Sequence, residues 1–314
     1  MTRFAPLVRW LKWLYVAVVA VTLVHLLVDT GDLDIDWHHW SRSGGTYLFC
    51  LGWAAMVVVL GKAWAVGLQQ LSGVRLGFRT WLPAQTSAWA GRYLPGKIGL
   101  FAGKLALLKR SDVPLNALTL SVLYEQLAFV VAGALIAVLS PVPFSSWGPF
   151  VERVAALLGQ PLVIVLMAIA GLFAAWFVAR WMRPRFPAFV AHRWWQTIIV
   201  FALHGGAHVV VGIGFHALVV ELATGPGVPG VWFSVGALAA AHVAGALAIF
   251  APAGLGVREV VLAAALSPFM PFHAAIVLAT IARALTLIVD ALLFVAGRLS
   301  ARWLAPEGAH APSS

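Results

Sequence analysis

Cysteine is nearly absent: Cys50 is the one thiol in 314 residues, and it sits in an apolar stretch. That excludes a disulfide framework and a cysteine-based metal site, and Cys50 reads as a small buried hydrophobe. Charge is scarce as well. Asp, Glu, Lys and Arg supply 10% of the chain and apolar residues 62%, whereas soluble domains carry about 25% charged and about 45–50% apolar residues. Such a chain cannot bury its apolar surface in water. Acids are the rarer sign, 11 against 21 bases, for a net charge of +10. A nucleic-acid partner is nevertheless excluded, because the bases lie at the ends of apolar runs, the pattern of a membrane protein. A Walker loop, a nucleophile elbow, an HExxH motif and a dinucleotide fingerprint are all missing. We therefore expect no enzyme activity, no cofactor and no metal, and any transport to be facilitated or ion-coupled unless a partner supplies energy.

What is present is a series of apolar runs approaching the ~20 residues that cross a ~30 Å hydrocarbon core. They read as full spans at 11–28, 46–67, 115–140, 161–180, 196–221 and 273–297. Arg3, Arg9 and Lys12 precede the first, as in a signal peptide, but Asp29, Thr30, Gly31 and Asp32 follow it in place of a small-residue cleavage site. An uncleaved first helix is expected. With the N-terminus in the cytoplasm, thirteen bases face inward (Arg3, Arg9, Lys12, Arg75, Arg79, Lys109, Arg110, Arg180, Arg183, Arg185, Arg193, Arg298, Arg302) and only Arg42 and Arg153 face out. That asymmetry implies a cell-membrane protein with both termini on the cytoplasmic side.

The topology closes only if two further segments enter and leave on one side. Residues 81–108 are flanked by inward bases at both ends, and residues 232–267 must begin and end outside. Both read as re-entrant helical hairpins, entering from opposite faces. Each carries a breaker at its middle, Tyr93-Leu94-Pro95-Gly96-Lys97-Ile98-Gly99 and Pro252-Ala253-Gly254-Leu255-Gly256. Proline removes a backbone donor and glycine permits a reversal. Broken backbone at membrane depth survives only where protein or a wet cavity surrounds it, as where the half-helices of inverted transporter repeats meet. The fold class is thus an all-α polytopic membrane protein with about six full spans plus two hairpins. Residues 1–303 form one integral membrane domain and 304–314 a short polar tail.

Six bases remain inside apolar sequence: Lys62, Arg92, Lys97, Lys104, Arg258 and Arg283; three acids join them, Glu125, Glu259 and Asp290. A charge at bilayer depth costs at least ~2.5–3.5 kcal/mol, which implies pairing, water or ligand. Lys62 and Lys104 lie close to a cytoplasmic end and are expected to snorkel. Arg92 and Lys97 bracket the first breaker, and Arg258-Glu259 opens the half-helix after the second. A half-helix N-terminus offers free N–H groups and a positive dipole end, and the planar fork of Arg suits phosphate oxygens. The alternative is that Arg92, Glu125, Arg258 and Glu259 merely neutralise one another. On the last span Thr280, Arg283, Thr286 and Asp290 fall on one stripe. Arg283 and Asp290 are about two turns apart, so each needs a partner elsewhere, most simply the hairpin tips. His204 and His208, one turn apart, have metal-compatible spacing without an accompanying carboxylate; helix–helix bonding beside Gly205, Gly206 and Gly212 is the favoured reading. His25 and His242 are single. Asp29, Asp32, Asp34 and Asp36, followed by His38 and His39, offer a divalent-cation loop or a solvated one.

The segments Arg92-Tyr93-Leu94-Pro95-Gly96-Lys97-Ile98-Gly99, Glu125 and Pro252-Ala253-Gly254-Leu255-Gly256-Val257-Arg258-Glu259, in this order and separation, resemble the lysylphosphatidylglycerol synthase transmembrane-region family. The resemblance covers most of the chain. It implies a flippase-like domain that moves a lipid between leaflets, as in lipid aminoacyl-transferases, with stand-alone relatives in glycolipid, hopanoid and envelope-lipid pathways. Two features depart from the pattern. Gln126 follows the glutamate where the family has a Glu-Arg pair, and the sequence ends at Ser314 without the soluble aminoacyl-transfer domain. Synthesis of lysyl-lipid by this chain is therefore not expected.

The leading expectation is translocation of a phosphate-bearing membrane lipid or glycolipid. The residues expected to serve it are Arg92, Pro95, Gly96, Lys97, Glu125, Pro252, Gly254, Gly256, Arg258, Glu259, Arg283 and Asp290. Two other classes stand beside it: a non-transporting accessory subunit of an envelope-lipid pathway, and a polyprenyl-linked glycosyltransferase-type enzyme using the acidic loop. A lipid-biosynthetic enzyme and a second copy of the chain are candidate partners.

Overall fold

The computed structural model describes residues 42–93, 98–108, 113–142, 194–222, 227–248 and 251–303. The expected spans 11–28 and 161–180, the acidic loop, Pro95, Gly96, Lys97 and the tail lie outside the described residues.

Four helices among the described residues are long and apolar enough to cross a membrane. They are α1 (Gly44–Ser72), α4 (Leu115–Leu139), α5 (Trp194–Leu222) and α8 (Phe272–Trp303). Two shorter pairs lie between them: α2 (Phe78–Trp89) with α3 (Ile98–Leu108), and α6 (Val231–Leu247) with α7 (Val257–Leu266). At ~1.5 Å per residue α1 is ~43 Å long, enough to overhang a ~30 Å hydrocarbon layer. Local chemistry sets its ends. Ser43 caps the start by accepting from the Thr46 N–H, and Gly73 ends it at φ 74°, donating to the Gln69 carbonyl. That left-handed cap suits a residue without a Cβ.

The four long helices carry exposed Leu, Ile and Val along one side, among them Leu51, Leu135, Ile198, Ile288 and Leu292. In water such continuous apolar exposure marks an interaction surface; on helices of this length the partner is the lipid chain. Their other sides meet in a core built on Phe49, Trp53, Phe129, Phe215 and Leu266. Small residues bring backbones close. A Cβ on Gly45 would lie 2.5 Å from the Ala217 carbonyl and one on Gly214 2.7 Å from that of Leu48, which is why α1 and α5 make the most extensive pair. Close approach through glycine is the usual way helices associate in lipid.

The two short pairs are antiparallel. Gly91 faces Gly99 and Gly103 faces Ala88 in the first; Gly245 faces Arg258 and Phe233 faces Phe269 in the second. Gln85 of α2 lies beside Gly61 of α1, and Thr86 beside Gly297 of α8, so the first pair opens toward the Ser72 and Trp303 ends. Gly236 of α6 meets Ser140 at the end of α4, so the second pair opens toward the opposite end. The short 3-10 turns that follow α2 and precede α7, Ala90–Tyr93 and Pro252–Gly254, touch each other in the middle of the bundle. The second turn is tight. Ala253 takes φ 51°, and Gly254 and Gly256 take φ 74° and 80°. Glycine meets that geometry without strain, alanine only at a cost.

Candidate functional site

Three ionic clusters occupy the junction of the two turns. In the first, Asp290 of α8 receives four donors. Its Oδ1 accepts from the indole N–H groups of Trp53 (2.8 Å) and Trp89 (3.1 Å). Its Oδ2 accepts from the Arg92 guanidinium (2.5 Å) and the Tyr93 hydroxyl. Arg92 lies among the rings of Trp53, Trp89 and Tyr93, 4.6–5.0 Å from their centroids. The face of each ring attracts the cation, more strongly where water is excluded. Asp290 thus ties the tip of the first pair to the last helix and to α1.

In the second cluster, the ammonium of Lys104 donates to Glu125 at 2.5 Å and stands 4.0 Å over the Trp64 ring. Gln85 donates to the other carboxylate oxygen at 3.3 Å. Lys104 is 0% exposed, which corrects the expectation that it snorkels. Because α3 doubles back along α2, its Lys104 face turns into the bundle against α4. Lys62, by contrast, is exposed at the surface.

In the third, Arg283 lies 3.8 Å from Glu259 and donates to the Ala253 carbonyl at a long 3.4 Å. Its guanidinium also stands 5.4 Å from the Tyr93 ring, so it touches both turns. The polar stripe of α8 is buried at Arg283, Thr286 and Asp290, and both of its charges do meet hairpin tips. Among the described residues Arg92, Glu125, Arg258 and Glu259 form no direct ion pair with one another. Arg92 goes to Asp290, Glu125 to Lys104, Glu259 to Arg283.

Arg258 is left over. It lies against Gly245 and Gly254, where an added Cβ would come within 2.5 and 3.0 Å of its side chain. Among the described residues it has no ion-pair partner, and its Nε is buried without a hydrogen bond. It lines two adjoining cavities. One, of about 40 Å³, is bounded by Trp53, Trp89, Arg92, Glu125, His242 and Arg258; the other, of about 30 Å³, also meets Glu259 and Arg283. Each has room for only two or three waters, taking ~10–15 Å³ per water. The described centre therefore holds Arg92, Lys104, Arg258 and Arg283 against Glu125, Glu259 and Asp290, one positive charge in excess.

Gly254, Gly256 and the backbone of Pro252 form the second turn. Sequence reasoning missed Trp53 and Trp89, two of fifteen tryptophans with nothing local to mark them, and Gln85. It also passed over His242, which is buried against Trp53, Phe129 and His208. His208 does bond across helices, to the Phe129 carbonyl at 3.1 Å, while His204 bonds within its own helix to Val200 at 2.7 Å. Gly212 packs against Val235, but Gly205 and Gly206 meet no neighbour within 4 Å among the described residues. No group of three or more metal-ligating side chains occurs among the described residues.

Long apolar helices, lipid-facing apolar sides and a buried ionic centre define a multi-pass α-helical membrane protein. The family model for the lysylphosphatidylglycerol synthase TM region matches residues 12–293, and the chain belongs to that family. Comparisons with curated proteins and with solved structures found no match.

Proposed function

We propose that this protein moves a phosphate-bearing membrane lipid or glycolipid from one leaflet of the cell membrane to the other, with its termini in the cytoplasm. The observation that carries the reading is Arg258: at the meeting point of two broken helix pairs it lines both cavities, its Nε is buried without a hydrogen bond, and it forms no direct ion pair among the described residues. A headgroup crossing hydrocarbon loses its hydration, and burying a charge without a partner is prohibitive. A fixed guanidinium beside the N-terminus of α7 replaces water for a phosphate.

In this reading the two pairs are re-entrant hairpins, one from each face, and their contact is the closed gate. The cavities are too small for a headgroup, so translocation requires the turns to part. The bridge between the turns that parts most easily is Arg283, 5.4 Å from the Tyr93 ring and 3.4 Å from the Ala253 carbonyl, since a contact at the limit of hydrogen-bond length holds little directional energy. Family membership supports the reading because flippase-like membrane domains occur in this family.

The test is reconstitution in liposomes with a fluorescent phosphatidylglycerol and an impermeant quencher. Wild-type protein should give quencher access to the inner-leaflet label, and Arg258→Gln should slow that access by at least tenfold while eluting as a folded monodisperse species. Equal rates in empty liposomes, wild type and variant would sink the proposal.

A further inference from the structure

His204 and His208 on α5 and His242 on α6 are buried to 2% exposure or less and take no part in the ionic clusters. The His208 and His242 rings lie 5.6 Å apart, and the Phe129 ring packs on both. Their hydrogen bonds fix their tautomers. A carbonyl can only accept, so His204 carries its hydrogen on Nδ1, facing Val200, and His208 on Nε2, facing Phe129. The opposite nitrogen of His208, Nδ1, is then a lone pair and is buried without a partner, as is His242 Nδ1. Buried polar atoms are normally satisfied, and one left bare calls for a reason. Here what His208 lacks at its bare nitrogen is a proton.

The charged neighbours give that proton a use. Glu125 and Lys104 act on His204; Arg258 acts on both His208 and His242; Arg92 and Arg283 also face His242. His242 lines both cavities together with Arg258. In the empty site an imidazolium would sit beside uncompensated Arg258. An anion on Arg258 cancels the one excess positive charge of the centre and so removes repulsion that opposes a proton on the His208–His242 pair.

We propose that the His208–His242 pair is a proton-binding site coupled to the anion site at Arg258, so that the phosphate headgroup and a proton bind together and translocation is driven by a proton gradient. The inference rests on the lipid-translocation reading above. The step balances simply: a proton leaves hydronium in the water that reaches the cavities, takes the lone pair of a ring nitrogen, and returns to water on the far side with the headgroup. Binding linkage is reciprocal, so the lipid must raise proton affinity as much as the proton raises lipid affinity.

The test uses the full-length protein in detergent with dihexanoyl phosphatidylglycerol, whose phosphodiester does not titrate near neutrality. In weak buffer near pH 5.5, a dye should report proton uptake on lipid binding, and affinity should strengthen, by less than tenfold per pH unit, as pH falls from about 7 to about 5. The variant His208→Gln with His242→Gln keeps an amide donor near the Phe129 carbonyl and should take up no proton on binding. Wild-type binding without proton uptake and without pH dependence overturns the coupling while leaving the transport reading intact. Uptake undiminished in the double variant places the proton on a carboxylate and also overturns it. No binding by wild type defeats both readings. Should the double variant not fold, His208→Gln and His242→Gln are tested singly, and uptake undiminished in both overturns the proposal in the same way.

Discussion

Asp290 is the residue on which the first turn depends. Four donors converge on one carboxylate that is 2% exposed. A buried ion pair is weak evidence for net stability, because desolvation offsets the attraction, but removing one partner leaves a charge stranded. Asp290→Asn should therefore cost about 3–5 kcal/mol, and a melting temperature measured in detergent should fall by roughly 10 °C. Trp53→Phe removes one neutral donor and should cost about 1 kcal/mol. If Asp290→Asn melts no lower than Trp53→Phe, the carboxylate is not the anchor described. Lys104 teaches a different lesson at this scale. Its helix, Ile98–Leu108, is apolar all round, so no face of it is marked as the buried one. The sequence position near a cytoplasmic end suggested snorkelling; only packing against α2 and α4 shows that the ammonium turns inward to Glu125.

The elements themselves were largely legible. Apolar runs read as spans at 46–67, 115–140, 196–221 and 273–297 correspond to helices Gly44–Ser72, Leu115–Leu139, Trp194–Leu222 and Phe272–Trp303. Length and hydropathy suffice for that, because lipid demands them. The breaker Pro252-Ala253-Gly254-Leu255-Gly256 also read correctly as the end of one helix and the start of another. Its detail did not: Ala253, not only the glycines, takes a positive φ of 51°. A left-handed alanine costs about 1–2 kcal/mol, part of which glycine returns as chain entropy. Ala253→Gly should thus leave the melting temperature unchanged or raise it by a few degrees. Gly254→Ala should lower it clearly, since the new Cβ would stand 2.6 Å from the Gly245 Cα at φ 74°. The opposite order of the two variants would mean that this turn is not held as described.

At the scale of the whole molecule, what the sequence could not show was which charge meets which. Arg92 and Asp290 are 198 residues apart and Lys104 and Glu125 are 21 apart, and such pairings follow from how the two helix pairs dock, not from any local period. The consequence of the docking is a centre whose turns touch while three of its four cations are already held by carboxylates. That arrangement suits a resting gate. Arg283 reaches both sides of it, toward the Tyr93 ring and the Ala253 carbonyl. If translocation requires the turns to part, tethering them must stop it. Cys50 is the one native thiol, so a Cys50→Ser background carrying Tyr93→Cys and Ala253→Cys leaves only the two introduced thiols to bridge. A short bifunctional thiol reagent with a reducible link should abolish lipid movement in liposomes, and reductant should restore it to the rate of the untreated variant. Each single-cysteine control should be unaffected by the reagent. Undiminished movement in the fully cross-linked protein would show that the lipid does not pass between the turns.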